Sequence, residues 1–292
     1  MTVGELKREV LIRHLEIWAP AALHKRRAVY VHGYVEADGG ASAEAALRVF
    51  AEQSDLVRGR ELAMVAVGDD VTGVQERLAG VGAGGAGLAV HVIGGGTDAR
   101  LAVALKAVGA ARVPLLAYLD ASGASKPPEP DTIAAVAGGR PAEILLVLPP
   151  GSAVEVAGFP LVTAVELATG DEPGELLVFA TGLGKSLEAF KETLWAVDEF
   201  AGVRYRDPGD PERHLIDISL SPHPGPLRRE LLAHLRKEGP ATVAELRTFA
   251  LTATIYRAAD ATRVLQNLIA AGSVAREPAS GRLGGDVVIS AT

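Results

Sequence analysis

The hydrophobic positions in the first half of the chain alternate between short continuous runs and segments in which they recur every three or four residues. The continuous runs, bounded by Gly, Pro or Asp, predict strands at Ala28–Val35, Leu62–Val67, Ala89–Ile93, Val113–Asp120 and Ala142–Leu148. The periodic segments predict helices at Glu44–Glu52, Val71–Leu78, Asp98–Val108 and Asp131–Ala137. Because strands this apolar lack a solvated face, the alternation predicts a doubly wound, Rossmann-like α/β sheet with helices on both faces.

The alternation of apolar runs and periodic segments becomes less regular after Pro149 and then resumes. It predicts a strand at Leu176–Ala180, a helix at Ser186–Val197 and a strand at His214–Leu220, with the two strands at the antiparallel edge of the sheet. The predicted helix carries four polar or amphipathic side chains, Lys185, Glu188, Lys191 and Trp195. Two interpretations stay open for them: an exposed pair one helical turn apart beside a half-buried tryptophan, or a polar site.

A proline-rich segment, Ser221–Pro226, separates this region from the last part of the chain, because three prolines and a glycine interrupt both helices and interior strands. We therefore predict an α/β domain at residues 1–222 and a second domain at residues 223–292. The second domain is predicted to hold helices at Leu227–Arg236, Val243–Phe249 and Ala258–Ala271 and a hairpin of Ser273–Arg276 with Val287–Ser290. Three helices followed by a hairpin are typical of a winged helix-turn-helix.

The composition of the chain excludes several classes of functional site. The 292 residues include no cysteine, which excludes thiolate metal sites and cysteine nucleophiles and favours a cytoplasmic protein. The seven histidines are scattered without ligand spacing, so no metal site is predicted, and apolar runs such as Ile144–Leu148 are far too short to cross a membrane. Net charge is -7, but the segment from Leu227 onwards is +3 and the remainder is -10. This asymmetry suggests that the two domains have different tasks.

Several blocks of sequence resemble one family in order and spacing. The strongest is FATGLGKSLEAFKETLWAVD at Phe179–Asp198, and the others are KREVLIRHLEIW at Lys7–Trp18, YVHGYVEADGG at Tyr30–Gly40, YLDASG at Tyr118–Gly123 and AEILLVLP at Ala142–Pro149. Together they resemble the three-Cys-motif partner proteins (TcmP), whose large domain is similar to a class I AdoMet methyltransferase and which usually carry a winged helix. The resemblance extends from about Lys7 to Arg276 and implies a fold and a partner protein more than it implies a reaction.

The resemblance implies an AdoMet site where the first strands end, and there this chain departs from the methyltransferase pattern. Gly33 keeps the first glycine of the turn, but Glu36 and Asp38 stand at the next two glycine positions. The acid expected to bind the ribose should end the second strand, but the nearest acids, Asp69 and Asp70, come slightly after that strand. The acid expected to face the adenine is replaced within GGGT, at residues 94–97. The candidate cofactor-binding residues are Gly33, Asp69 and Asp70. S-adenosylmethionine is thus a candidate cofactor with degenerate pocket motifs.

Asp120 is the candidate catalytic residue, because it closes the fourth strand at the sheet edge where open α/β sheets bind ligands. An acid at this place holds the acceptor nitrogen in amino-methylating relatives of the fold. The alternative interpretation is structural: a strand-end Asp that accepts hydrogen bonds from the following ASGAS turn. Ser122 lacks the elbow motif and the histidine partner of a hydrolase, and the glycines after the third strand lack the lysine of a P-loop.

In the second domain, the third helix would enter the major groove of DNA. Its candidate nucleic-acid-binding residues are Arg257, Arg263, Gln266 and Asn267, with Thr262 beside them and Arg276 and Arg282 on or near the wing. A domain of this kind also serves in protein interaction or homodimerisation, so both partner classes stay open.

Three hypotheses follow. The first is a degenerate methyltransferase-like protein that acts with a partner protein or on nucleic acid. The second is an active AdoMet-dependent methyltransferase with a rearranged pocket, in which Asp120 orients the acceptor. The third is a DNA-binding regulator whose α/β domain senses a small molecule.

Overall fold

A computed structural model describes residues 2–81, 87–197, 203–210, 212–216 and 223–292, without the side chains of residues 54 and 56. Three predicted features lie partly outside these ranges: residues 217–220 of the last predicted strand, residues 221–222 of the proline-rich segment, and position 198 of the family-like block.

The described strands form two sheets. Those of the large sheet are β1 Arg27–Gly33, β2 Glu61–Gly68, β3 Leu88–Gly94, β4 Leu115–Asp120, β5 Ala142–Leu148, β6 Leu161–Ala168, β7 Glu175–Thr181, β8 Arg204–Arg206 and β9 Leu215–Ile216. Those of the small sheet are β10 Ala241–Thr242, β11 Val274–Glu277 and β12 Val288–Ala291. The five strands predicted in the first half are confirmed, with ends that shift by one or two residues.

The large sheet has the order β3-β2-β1-β4-β5-β7-β6-β8-β9. Strands β1 to β5 pair in parallel, whereas β7 is antiparallel to both of its neighbours, β5 and β6. The predicted parallel α/β sheet is confirmed, and its mostly parallel architecture is consistent with a Rossmann-like methyltransferase fold.

Of the two strands predicted at the antiparallel edge, the described part of the second, β9, lies at that edge, whereas the first, β7, does not. Strand β6, which the hydrophobic pattern did not predict, pairs along seven positions with the outer side of β7 and makes β7 an interior strand. The reason lies in the composition of β6: Thr163 and Glu166 interrupt its apolar run, yet both are buried in the sheet. Buried polar residues in a strand hide the period on which the prediction rests.

The described helices pack on both faces of the sheet and in the C-terminal segment. They are α1 Val3–Leu23, α2 Ala41–Glu52, α3 Ser54–Val57, α4 Thr72–Gly80, α5 Thr97–Ala107, α6 Pro130–Ala137, α7 Gly184–Val197, α8 Gly225–Glu238, α9 Val243–Ala253 and α10 Ala258–Ala270. Side chains of α1, α2, α4 and α7 form one core with the sheet, and those of α5 and α6 form the core on the opposite face.

The C-terminal segment consists of α8, α9 and α10 and the antiparallel sheet β10-β12-β11. The three predicted helices and the hairpin are present. Thr242 and Glu245 form a capping box at the start of α9: the Thr242 hydroxyl accepts from the amide of Glu245, and the Glu245 carboxylate accepts from the amide of Thr242. The apolar side chains of α8, α9 and α10 join the same core as those of α1, α2, α4 and α7.

Helix α7 contacts this segment through two buried side chains. Lys191 donates from Nζ to the carbonyl of Thr254 over 2.5 Å, and Trp195 donates from Nε1 to the carbonyl of Ile255 over 3.2 Å. Of the two interpretations left open for these side chains, the exposed pair is wrong, because the Lys191 side chain is fully buried, and Trp195 is buried as well. Burial lowers the pKa of Lys191 to about 7, against an opposing effect of Asp207.

Candidate functional site

The C-terminal ends of the parallel strands carry the predicted catalytic and cofactor-binding residues. The turn after β1 begins at Tyr34, which has a left-handed φ of 54°, and continues as a short 3-10 helix at Val35–Asp38. Gly39 and Gly40 follow with left-handed φ values of 64° and 82° and lead into α2. These two glycines therefore shape the entry to α2, and they do not line the end of β1.

Hydrogen bonds of Tyr34 connect this turn to the neighbouring loops. Its amide donates to Oγ1 of Thr97 over 2.7 Å, and its hydroxyl donates to Oδ2 of Asp98 over 2.9 Å. The other oxygen of Asp98 accepts from the amide of Glu129 and the hydroxyl of Thr132. Burial and the Asp98 carboxylate raise the pKa of the Tyr34 phenol. The turn after β1 is thus held at the starts of α5 and α6.

Gly33 itself lies in a tightly packed place. A Cβ on this residue would come within 2.5 Å of a methyl group of Leu119 and 2.8 Å of the methyl group of Thr97. The glycine at this position is required for packing, and the volume next to it holds side chains of this chain.

Glu36 reaches from the turn to the end of β2. Its Oε2 accepts a hydrogen bond from the amide of Asp69 over 3.2 Å and lies directly against the backbone of Gly68. A side chain at position 68 would overlap the Glu36 carboxylate and Val35. The chain's own carboxylate therefore occupies the end of β2.

The two candidate acids after β2 differ in their surroundings. The carboxylate of Asp69 is exposed and lies near Gly96 of the next loop. Asp70 accepts from the amide of Thr72 over 3.0 Å at the start of α4, and this hydrogen bond lowers its pKa. The Asp70 side chain is thus engaged in the turn that leads into α4.

Asp120 lies at the end of β4 in a buried polar cluster. Its Oδ1 accepts from both the amide and the hydroxyl of Ser122, and its Oδ2 accepts from the hydroxyl of Tyr118. Nζ of Lys7, on α1, lies 2.9 Å from Oδ2 of Asp120 and 2.8 Å from a carboxylate oxygen of Glu175. The side chain of Asp120 is 7% exposed, so both of its oxygens are engaged and shielded.

Lys7 keeps its charge in this cluster. Burial works against the ammonium group, but Asp120 and Glu175 outweigh it, so the pKa of Lys7 is raised. The sequence did not predict this contact, because Lys7 lies 113 positions before Asp120 and reads as one of several charged residues of an amphipathic helix.

The polar cluster around Asp120 continues through Tyr118 to His32 and Tyr30. Nδ1 of His32 lies 2.9 Å from the hydroxyl of Tyr30, and its ring lies 4.9 Å from that of Tyr118. Burial lowers the pKa of His32 to about 4, although Asp38 and Asp120 act in the opposite direction. His32 is therefore neutral at pH 7, in a position suited to structural hydrogen bonding.

The predicted nucleic-acid-binding residues of α10 fall into two groups. Arg257 lies at its N-terminal end, where the guanidinium stacks on Trp195 at 4.8 Å and pairs with Glu192 and Asp260. Gln266 and Asn267 lie on the exposed face of α10, one turn after Arg263, which pairs with Asp260 over 2.6 Å. The exposed face thus carries one arginine and two amides.

Arg276 lies on β11, and its guanidinium donates to carbonyls of the following loop, among them those of Pro278 and Gly281. These contacts hold the loop between β11 and β12.

The described part of the chain holds no group of three or more His, Cys, Asp or Glu side chains that could bind a metal ion. Over the same residues, none of the helices combines the length and apolar character needed to span a bilayer.

Comparisons with known proteins add little. No protein-family model matches the chain, and no curated protein matches it. Among solved structures, the chain is similar to the pyocyanin biosynthetic protein PhzM, with 12% identity and a TM-score of 0.27 over 56% of this chain. The match spans about half of the length of that protein, 55%. A likeness of this size carries no conclusion about activity.

Proposed function

We propose that this chain is a degenerate methyltransferase-like protein that acts with a partner protein or on nucleic acid. The observation that carries the proposal is the position of Glu36 over Gly68, with its carboxylate bonded to the amide of Asp69. The residues present do not fit AdoMet: a carboxylate stands where the fold needs open glycine backbone, and side chains of Leu119 and Thr97 flank Gly33.

Isothermal calorimetry with AdoMet and with S-adenosylhomocysteine tests the closed cleft. We expect no binding by either compound at concentrations up to about 1 mM, because binding would require the turn after β1 to leave its contacts. The Glu36→Ala variant, which removes the carboxylate from the end of β2, serves as the matched probe of the cleft. Micromolar binding to the unmodified chain would overturn the proposal.

The active methyltransferase hypothesis draws less support from the contacts of Asp120. Both oxygens already accept from Tyr118, Ser122 or Lys7, which favours a structural role over the binding of an acceptor. Incubation with AdoMet carrying a labelled methyl group, DNA, RNA and cell extract checks this alternative: label transfer that is lost in Asp120→Asn would restore it.

The partner class is the second part of the proposal. The three helices and the hairpin of the C-terminal segment support the winged helix expected from the family resemblance, and the exposed α10 face with Arg263, Gln266 and Asn267 favours contact with base edges. The commitment of Arg257 and Arg276 to contacts within the chain favours a protein partner. No third class is suggested by the charges of this surface.

Fluorescence anisotropy with duplex DNA at several salt concentrations separates the two partner classes. If nucleic acid is the partner, affinity falls steeply with salt, and Arg263→Ala weakens it by about fivefold or more. Arg236→Ala, an exposed arginine of α8, is the matched control. Binding that does not depend on salt or on Arg263 would leave a protein as the partner.

A further inference from the structure

The N-terminal end of the large sheet holds a cavity that none of the predicted catalytic, cofactor-binding or nucleic-acid-binding residues lines. It has a volume of about 430 Å³ and lies between α1 and α7. Its walls are mostly apolar: Trp18, Ala21 and Ala22 from α1, Ala189 from α7, and Pro114 and Pro141 before β4 and β5. An apolar cavity of about 150 Å³ already holds a benzene ring, so this one has room for two fused rings with substituents.

Two buried polar side chains line the same cavity. Nε2 of His14 lies 3.0 Å from Oε2 of Glu143, and Oε1 of Glu143 accepts from the hydroxyl of Ser186 over 2.7 Å. Both His14 and Glu143 are at least nine-tenths buried, at 1% and 3% exposure. Residues from α1, β5 and α7 thus converge on one polar end of an apolar cavity, as binding sites for small molecules do.

The hydrogen-bonding capacity of this polar end is incomplete. Nε2 of His14 makes the contact with Glu143, so Nδ1 is the ring nitrogen that is left for a further hydrogen bond. Nδ1 of His14 is buried and has no hydrogen-bond partner among the described residues. A buried polar atom without a partner costs about 1–3 kcal/mol, and a ligand hydroxyl, which can both donate and accept, would supply the missing partner.

The mouth of the cavity is lined by exposed apolar side chains and by two lysines. Ile17 and Leu183, two of the large apolar side chains that the structure exposes, line it at 48% and 43% exposure. Lys25 and Lys185 also line it, are exposed, and form no ion pair with a described residue. An apolar molecule that enters here would leave an acidic substituent beside two ammonium groups.

We propose that this cavity binds a small aromatic carboxylate that carries a hydroxyl or amine donor at its far end. The donor meets His14 and Glu143, the rings pack against Trp18 and the alanines, and the carboxylate faces Lys25 and Lys185. The site lies at the sheet edge opposite Glu36 and Asp120, so it does not depend on whether the AdoMet cleft is closed.

Two probes matched in size test the assignment by fluorescence titration of the full chain: 6-hydroxy-2-naphthoate, which has the donor, and 6-methyl-2-naphthoate, which lacks it. We expect saturable binding of one hydroxynaphthoate per chain below about 1 mM. The methyl analogue should bind about three- to tenfold more weakly, which corresponds to one neutral hydrogen bond. Equal affinity of the two probes would overturn the role of His14 and Glu143.

A pair of variants of α7 tests the location. Ala189→Trp fills the cavity and should weaken hydroxynaphthoate binding at least tenfold, whereas Glu188→Trp adds the same side chain at an exposed neighbouring position outside the lining and should leave it unchanged. Ala21→Trp fills the cavity from α1 and replaces Ala189→Trp if that variant does not fold, as judged by circular dichroism. The proposal fails if no saturable binding occurs, or if the folded cavity-filling variant binds as tightly as the control.

Discussion

The two ends of the large sheet use their buried polar groups differently. At the C-terminal end, Asp120 has hydrogen bonds or an ion pair on both oxygens, and Lys7 closes the cluster with two carboxylates. At the N-terminal end, Glu143 and His14 border an open cavity of about 430 Å³, and one nitrogen of His14 has no described partner. A polar cluster with its contacts made stabilises the fold, whereas an incomplete one beside open space has capacity left for a ligand.

The largest expected loss in the free energy of unfolding comes from Lys7→Met. This change leaves Asp120 and Glu175 without their shared cation, and removing one partner of a buried ion pair costs about 3–5 kcal/mol. Urea unfolding at pH 7 measures the loss. Arg13→Met on the same helix, which removes an exposed i,i+4 pair with Glu9, should cost about 0.3–0.5 kcal/mol. Similar losses for the two variants would mean that the C-terminal cluster is hydrated rather than closed.

The next effect is a dependence on pH at the same end of the sheet. His32 has a pKa of about 4 in the folded protein and an ordinary value of 6.5 when unfolded. Between these values the unfolded chain binds a proton that the native state does not, so the free energy of unfolding falls as pH falls from 6.5 to 4. The full loss is on the order of 3 kcal/mol.

The His32→Leu variant should lack this contribution. We expect the stability difference between the unmodified chain and the variant to shift by the same amount between pH 7 and pH 4, as measured by urea unfolding at each pH. A difference that stays constant over this range would show that the imidazole is not buried in a neutral form.

A smaller loss is expected at the N-terminal end. His14→Phe removes the partner of Oε2 of Glu143, but this carboxylate keeps Ser186 and borders a cavity that water can enter. We expect a loss of about 1–3 kcal/mol in urea unfolding, below that of Lys7→Met. A loss as large as that of Lys7→Met would remove the contrast between the two ends.

The smallest effect is expected for Ser186→Ala, which removes one hydrogen bond to Glu143 from a residue that is only half-buried. The loss should be about 0.5–1.5 kcal/mol in the same measurement. Together with His14→Phe, it orders the two contacts of Glu143.

The sequence by itself determined the local elements of this protein. Runs of apolar residues such as Ala142–Leu148 specify buried strands, and the period of three to four residues in α5 and α10 specifies helices that face a core. The Thr242–Glu245 spacing specifies a helix start because its hydrogen bonds span one turn. Such signals are readable because the interacting groups are close in sequence.

Tertiary structure alone decided the contacts that give the two sheet ends their character. Glu36 reaches Asp69 across 33 positions, Lys7 reaches Ser122 across 115, and His14 reaches Glu143 across 129. Charged residues of an amphipathic helix look alike in sequence whether they face solvent or a buried carboxylate, and only the packing of α1 on the sheet selects Lys7 and His14 as the buried ones. The parallel α/β sheet was therefore predictable from the chain, whereas the closed polar cluster at one end of the sheet and the cavity at the other end were not.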